Sequence, residues 1–205
     1  MDQYLSILDE STVEITEKKS KFIGHIKPVT SESQANEYLR NIRERYWDAR
    51  HNVYAYALKT NFKSKASDDG EPHGTAGIPI LEVIKKNSLL DVMIIVTRYF
   101  GGILLGTGGL TRAYSQCASL AIQNAKIVNC KLCSCFELSC NYEQFDKIKN
   151  IICANHAKID STVFLENVKV NFHVPSQYAD LLKKKLLEVT CGHSNLKFIE
   201  EKFLY

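Results

Sequence analysis

Between Val92 and Asn124 the chain passes from five consecutive apolar residues, Val92-Met93-Ile94-Ile95-Val96, through a turn holding Gly101, Gly102, Gly106, Gly108 and Gly109. It then enters a stretch with Leu110, Ala113, Tyr114, Cys117 and Ala121 at helical spacing. A strand apolar on both faces needs cover on both sides. This one segment therefore demands a layered fold, with a central strand over Asp91 to Phe100 and a helix over about 107–124, in the order of a strand-turn-helix unit of an α/β layer. The apolar run is far short of the roughly 18 residues of a membrane span, so no membrane crossing is expected.

Nine of the ten glycines lie between Gly24 and Gly109 and one, Gly192, lies beyond, so two parts built on different rules are expected. The boundary is placed near Asn129, giving domains over 1–129 and 130–205. In the first part, 12–16 and 21–27 flank the charged turn Glu17-Lys18-Lys19-Ser20 and read as a hairpin. Ser31 and Gln34 have capping-box spacing ahead of Ala35, Tyr38, Leu39, Ile42 and Tyr46, which predicts an amphipathic helix over 32–46. Its Arg40, Arg43 and Arg45 could face phosphate, although such a charge run is usually a solvated face. A strand over 53–58, a polar loop over 60–74 and a helix over 75–86, with Pro79 in its first turns, complete the series. The second part reads strand 131–140, helix 142–155, strands 158–165 and 168–174, helix 176–190 and strand 196–204. This βαββαβ order, with Val168, Val170, Phe172 and Val174 alternating with polar residues, predicts a ferredoxin-like sheet covered on one face.

With 205 residues, 45% of them hydrophobic and 24% charged, the chain is a globular protein of one large or two small domains, and disorder or collagen-like repeats are excluded. Its start, Met1-Asp2-Gln3-Tyr4, has neither the basic region nor the apolar stretch of a secretory signal, which predicts a cytoplasmic protein. Seven cysteines, five of them between Cys117 and Cys140, then read as free thiols. A net charge of +3 does not by itself establish a nucleic-acid partner. The basic residues are unevenly spread, however, and all six arginines precede residue 113.

Two clusters could carry chemistry. In the glycine turn, backbone N–H groups at a helix N-terminus can converge on an anion, and Arg98 and Arg112 add permanent charge. The two familiar nucleotide patterns fail, since Thr107-Gly108 stands where a P-loop has Lys-Ser/Thr, and Thr111 stands where a third glycine would be. Anion binding and simple tight packing both remain open. The second cluster, Asp68, Asp69, Glu71 and His73, could bind Mg²⁺ or Mn²⁺ or act in acid and base steps, though Asp-Asp-Gly-Glu-Pro is also ordinary turn chemistry. His51 could orient this loop by hydrogen bonding. Cys130, Cys133 and Cys135 suggest zinc at first sight, but strand periodicity puts Cys133 and Cys135 on one face, and no second Cys-x-x-Cys supplies the remaining ligands. No metal or cofactor is expected. Lys183-Lys184-Lys185, with Lys197 and Lys202, reads as a solvated face or a track for a nucleic-acid backbone.

Asp68-Asp69-Gly70-Glu71-Pro72-x-Gly74-Thr75-Ala76-Gly77-x-Pro79 is followed by Arg98-Tyr99-Phe100-Gly101-Gly102-x-x-Leu105-Gly106-x-Gly108-Gly109-Leu110-x-Arg112-Ala113-Tyr114. With His51-Asn52-x-Tyr54-Ala55, these motifs resemble the IMPACT/YigZ family over about residues 15–128, and the remainder resembles the accessory C-terminal domain of its bacterial branch. The resemblance implies an α+β fold. Its first domain would be similar to the second domain of small-subunit ribosomal protein five, and its ferredoxin-like second domain to one of elongation factor G. Eukaryotic members also carry an RWD domain and restrain a translation-initiation stress kinase; the two domains assigned here are expected to leave no room for that third one. The expected function is a non-enzymatic cytosolic factor binding RNA, the ribosome or translation factors. Its site would be Arg98, Gly101, Gly102, Gly106, Gly108, Gly109 and Arg112. The alternatives are a small metal-assisted hydrolase or phosphotransfer enzyme built on Asp68, Asp69, Glu71 and His73, and a protein–protein adaptor.

Overall fold

In the computed structural model, which describes residues 2–190 and 195–205, the chain forms two compact units: residues 4–129, and residues 130–205 with the first residues of the chain. The fold is α+β. Strand β1 (Gln3–Ile7) is followed by the predicted hairpin of β2 (Ser11–Glu17) and β3 (Ser20–Pro28), then helix α1 (Glu32–Arg45) and strand β4 (His51–Ala57). Ser31 caps α1: its Oγ accepts the Gln34 N–H at 3.2 Å while Gln34 Oε1 accepts the Thr30 N–H at 2.8 Å, a capping box whose return arm reaches one residue further back.

The 60–74 segment is not all loop. After a 3-10 turn at Thr60–Phe62, β5 (Ser64–Ser67) pairs with β4, Tyr54 opposite Ser67 and Ala57 opposite Ser64. β5 is the edge strand of its sheet and none of its residues is buried, so it carries no apolar alternation. Helix α2 (Gly77–Lys86), strand β6 (Val92–Tyr99) and helix α3 (Gly106–Asn124) follow.

The first unit's sheet has the order β2-β3-β6-β4-β5, and every pairing is antiparallel, so it is not the α/β layer that the strand-turn-helix order suggested. The doubly apolar β6 is nevertheless central and covered on both sides. Val92, Ile94 and Val96 pack with Phe22, Val53 and Ala55 under α2 and α3, while Met93 and Ile95 pack with Tyr54 and Tyr56 under Ala35, Tyr38, Leu39 and Ile42 of α1. Each of these fully buried aliphatic side chains contributes about 1.5–3 kcal/mol, so β6 anchors both layers.

The second unit is built from β7 (Ile127–Cys140), α4 (Tyr142–Ala154), β8 (Lys158–Phe164), β9 (Val168–Pro175), α5 (Ala179–Val189) and β10 (Asn195–Leu204). The strands lie in the order β8-β9-β7-β10, all antiparallel, as in a split βαβ sandwich. Val168, Val170, Phe172 and Val174 face Ile148 and Ile152 of α4 and Leu182 and Leu186 of α5. The predicted 176–190 helix begins as a 3-10 turn at Ser176–Tyr178. No described helix is long and apolar enough to cross a membrane.

Candidate functional site

The two sequence clusters meet through a buried ion pair at the C-terminal end of β6. Glu71 Oε1 accepts from Arg98 Nη1 at 2.7 Å and from the Tyr114 hydroxyl at 2.7 Å, and the Arg98 and Glu71 side chains are only 8% and 3% exposed. The guanidinium lies 5.4 Å from the Phe22 ring centre and 5.7 Å from that of Phe100, and its Nε is buried without a hydrogen-bond partner. Burial, then the Glu71 charge and hydrogen bond, push the Tyr114 phenol far above its ordinary range, so it stays a donor. Arg98 therefore does not face a phosphate; its charge is spent on Glu71, which ties the acidic loop to β6 and α3. Sequence spacing cannot show this, because the partners are 27 and 43 residues apart.

The other acidic residues are likewise engaged one by one. Asp68 Oδ2 accepts the Gly74 N–H at 2.8 Å, and Oδ1 accepts those of Ala76 at 3.1 Å and Gly77 at 2.8 Å, so this carboxylate caps α2 from nine residues away. Burial opposes its ionisation, but the three backbone donors, with His73 adding charge, outweigh that and hold Asp68 below the usual carboxylate range. Asp69 accepts from Arg43 at 2.6 Å and from the Asn52 N–H at 2.7 Å, while its carbonyl is 2.8 Å from His51 Nδ1. The His73 side chain is fully exposed. Asp68, Asp69 and Glu71 thus serve separate partners, and among the described residues no group of three or more His, Cys, Asp or Glu side chains is arranged to hold a metal ion. These carboxylates fold the loop through their own contacts.

The glycine turn is on the surface. Gly101 donates its N–H to Ser20 Oγ at 3.2 Å, and a Cβ there would lie 2.0 Å from the Lys19 carbonyl, so only glycine lets this loop lie against the β2–β3 turn. In that turn Lys18 and Lys19 have φ of 45° and 65°, a pair of left-handed residues where a two-residue hairpin favours Asn-Gly. Gly106 opens α3 at φ 70°, and Leu105 at the cap position provides no side-chain hydrogen bond, so the first-turn N–H groups of α3 carry no side-chain cap. A Cβ on Gly108 would meet nothing within 4 Å. Arg112 is exposed and lines a depression of about 120 Å³ with Lys18, Glu17, Leu105, Gly109 and Gln116. Phe100, Ile103 and Leu104 are 50%, 42% and 83% exposed beside it. Of the two arginines singled out in the sequence, Arg112 is on this face; the lysine turn that joins it is carried by tertiary contact with Gly101.

Cys117, Cys133, Cys135, Cys140 and Cys153 are free thiols, and Cys191 lies outside the described residues. Burial pushes the Cys117 thiol up to about 12 and also raises Cys133, Cys135 and Cys140, which are inert thiols in packed surroundings. On α5, Lys183 lies over the Phe136 ring and Lys185 donates to Asn155, so this lysine run is partly used within its own unit.

Residues 18–122 match the family model of the Impact N-terminal domain, and residues 138–192 match a domain of unknown function, DUF1949. IMPACT family member YvyE of Bacillus subtilis is 37% identical over 205 residues, covering 100% of this chain and 94% of its own. IMPACT family member YigZ of Escherichia coli is 30% identical over 187 residues, covering 90% and 92%. Protein IMPACT of Bos taurus is 35% identical over 100 residues, 46% of this chain and 31% of its own. A solved chain described as the crystal structure of an hypothetical protein superposes with a TM-score of 0.66 at 29% identity, covering 98% of this chain and 100% of its own. The loop tied by Glu71 and the glycine turn before α3 both fall within the Impact N-terminal match, and with full-length agreement to bacterial members this chain belongs to the IMPACT family.

Proposed function

We propose that the protein is a cytosolic, translation-associated factor that binds RNA or the translation apparatus through the face formed by Lys18, Lys19, Arg112 and the first turn of α3. The observation that carries this reading is the uncapped, glycine-built N-terminus of α3 beside exposed Arg112 and two lysines held at positive φ. Helix N–H groups and cations together suit phosphate oxygens. Left-handed lysines cost free energy that the fold must offset, and such strain gathers where a surface is put to use. Phe100, Ile103 and Leu104 add exposed apolar area for bases or protein. The link to translation rests on the family resemblance, in which both domains are similar to parts of translation components.

Co-sedimentation with ribosomes over a salt series, with and without nuclease, tests this. Wild-type protein is expected to sediment at low salt and to be released as salt rises, with a log–log slope of about −2 to −3 if three phosphates are neutralised. A folded Lys18→Gln/Arg112→Ala variant is expected to lose most of the binding. Unchanged sedimentation of that variant, or no sedimentation of the wild type at low salt, would overturn the assignment, and binding that survives nuclease treatment of the RNA would redirect it to a protein partner.

A further inference from the structure

We infer that the depression beside Trp47 is a stacking site for an unpaired base of single-stranded RNA, an inference that rests on the RNA-binding reading above and extends it to a second surface. Trp47 follows α1 and its side chain is 83% exposed, an unusual placement for the largest apolar side chain available. Its neighbour Tyr46 is half-buried, packing on His25 at 5.0 Å between ring centres and under Arg45 at 5.4 Å, so the chain covers one aromatic in part and leaves the next uncovered. Trp47 borders a surface depression of about 500 Å³ shared with Asn36, Leu39, Arg40, Arg43 and Glu44. That volume is within the range of small-ligand sites.

The surrounding charge selects the occupant. Four of the six arginines fall between residues 40 and 50, against two carboxylates in the same stretch, Glu44 and Asp48. Asp48 is taken by the Tyr99 hydroxyl at 2.7 Å. The Arg40 side chain is 68% exposed and stands 4.0 Å from Glu44, while Arg43 binds Asp69 with its side chain still 49% exposed. An apolar protein segment laid on Trp47 would strip water from Arg40 and Arg43 without supplying acceptors, at a net cost. A nucleotide supplies both needs, a flat base for the indole and a phosphate for the guanidinium groups. The Asp48–Tyr99 bond also ties the Trp47 turn to the end of β6, from which Phe100 and the glycine turn emerge.

Trp47 is the only tryptophan, so its fluorescence is an intrinsic readout of this surface. Titration with oligouridylate at low salt, with affinity measured in parallel by anisotropy of a labelled oligomer, is expected to quench it in step with binding. Trp47→Ala should weaken binding by about 5- to 150-fold, the range of one lost base stack, and Trp47→Phe should keep most of the affinity. If the oligomer binds while Trp47 fluorescence and the affinity of Trp47→Ala are unchanged, the stacking site is refuted and the α3 face still stands. If Trp47→Ala loses ribosome sedimentation while oligouridylate never quenches the wild type, the site docks protein and the inference is equally refuted. Failure of both ribosome and oligomer binding would remove both readings.

Discussion

Arg98 and Glu71 show how much a residue's role depends on where its partner comes from. An arginine next to Tyr99, Phe100 and Gly101 reads as a phosphate ligand in one dimension, yet in the fold it is buried on Glu71 and shielded by Phe22 and Phe100. Removing one member of a buried pair strands the other charge, which typically costs about 3–5 kcal/mol, whereas replacing both with apolar side chains of similar size is far less costly. Glu71→Ala is therefore expected to lower stability by about 3–5 kcal/mol in urea unfolding, and Glu71→Leu/Arg98→Met to regain most of it. A Glu71→Ala protein within about 1 kcal/mol of wild type would show that the pair contributes little. The lesson for Arg112 is the reverse: its exposure, invisible in the sequence, is what keeps it available.

At the scale of elements, most of the regular structure was legible because its periodicity is written in side chains. The α1 stripe, the hairpin of β2 and β3, the alternation of β9 and the βαββαβ order follow from where apolar residues recur. Strand β5 and the cap of α2 were not, since β5 is an edge strand with no buried residue and Asp68 caps α2 from outside the N-cap position. Asp68 in particular reads as a candidate metal ligand, and becomes a cap only when the loop brings it to the Gly74, Ala76 and Gly77 N–H groups. Loss of a capping side chain costs about 1–2 kcal/mol. Asp68→Ala is expected to lower the urea midpoint accordingly and to speed amide hydrogen exchange in the first turn of α2, with Asp68→Asn intermediate. Normal exchange at Ala76 and Gly77 in Asp68→Ala would show that the cap is dispensable.

For the whole molecule, His25 and Asp68 contribute to how stability responds to acid. Burial, then Arg45, with Glu10 pulling the other way, lowers the His25 pKa from 6.5 to about 4. Between those values the unfolded chain binds a proton that the folded chain refuses, so stability is complete above about pH 6.5 and falls toward pH 4, by on the order of 3 kcal/mol. Asp68, whose pKa is lowered from 3.8, keeps its contribution above that value and loses it only as pH falls further. Denaturant unfolding at pH 7.5, 5.5 and 4.5 should show the loss, and His25→Gln should flatten it. Parallel profiles for the two proteins would assign the acid response elsewhere.

What the sequence by itself determined is most of the elements, the division into two parts and the family, because hydrophobic period, turn chemistry and two long motifs are local properties of the chain. Only the tertiary structure decided which charges are buried against one another and which remain in water. Glu71, Arg98 and Tyr114 are far apart in the chain and satisfy one another inside the fold, while Lys18, Lys19, Arg112 and Trp47 are left exposed. The physical reason is that desolvation and pairing depend on three-dimensional neighbours, and those neighbours exist only once the sheet and its helices have closed over the core.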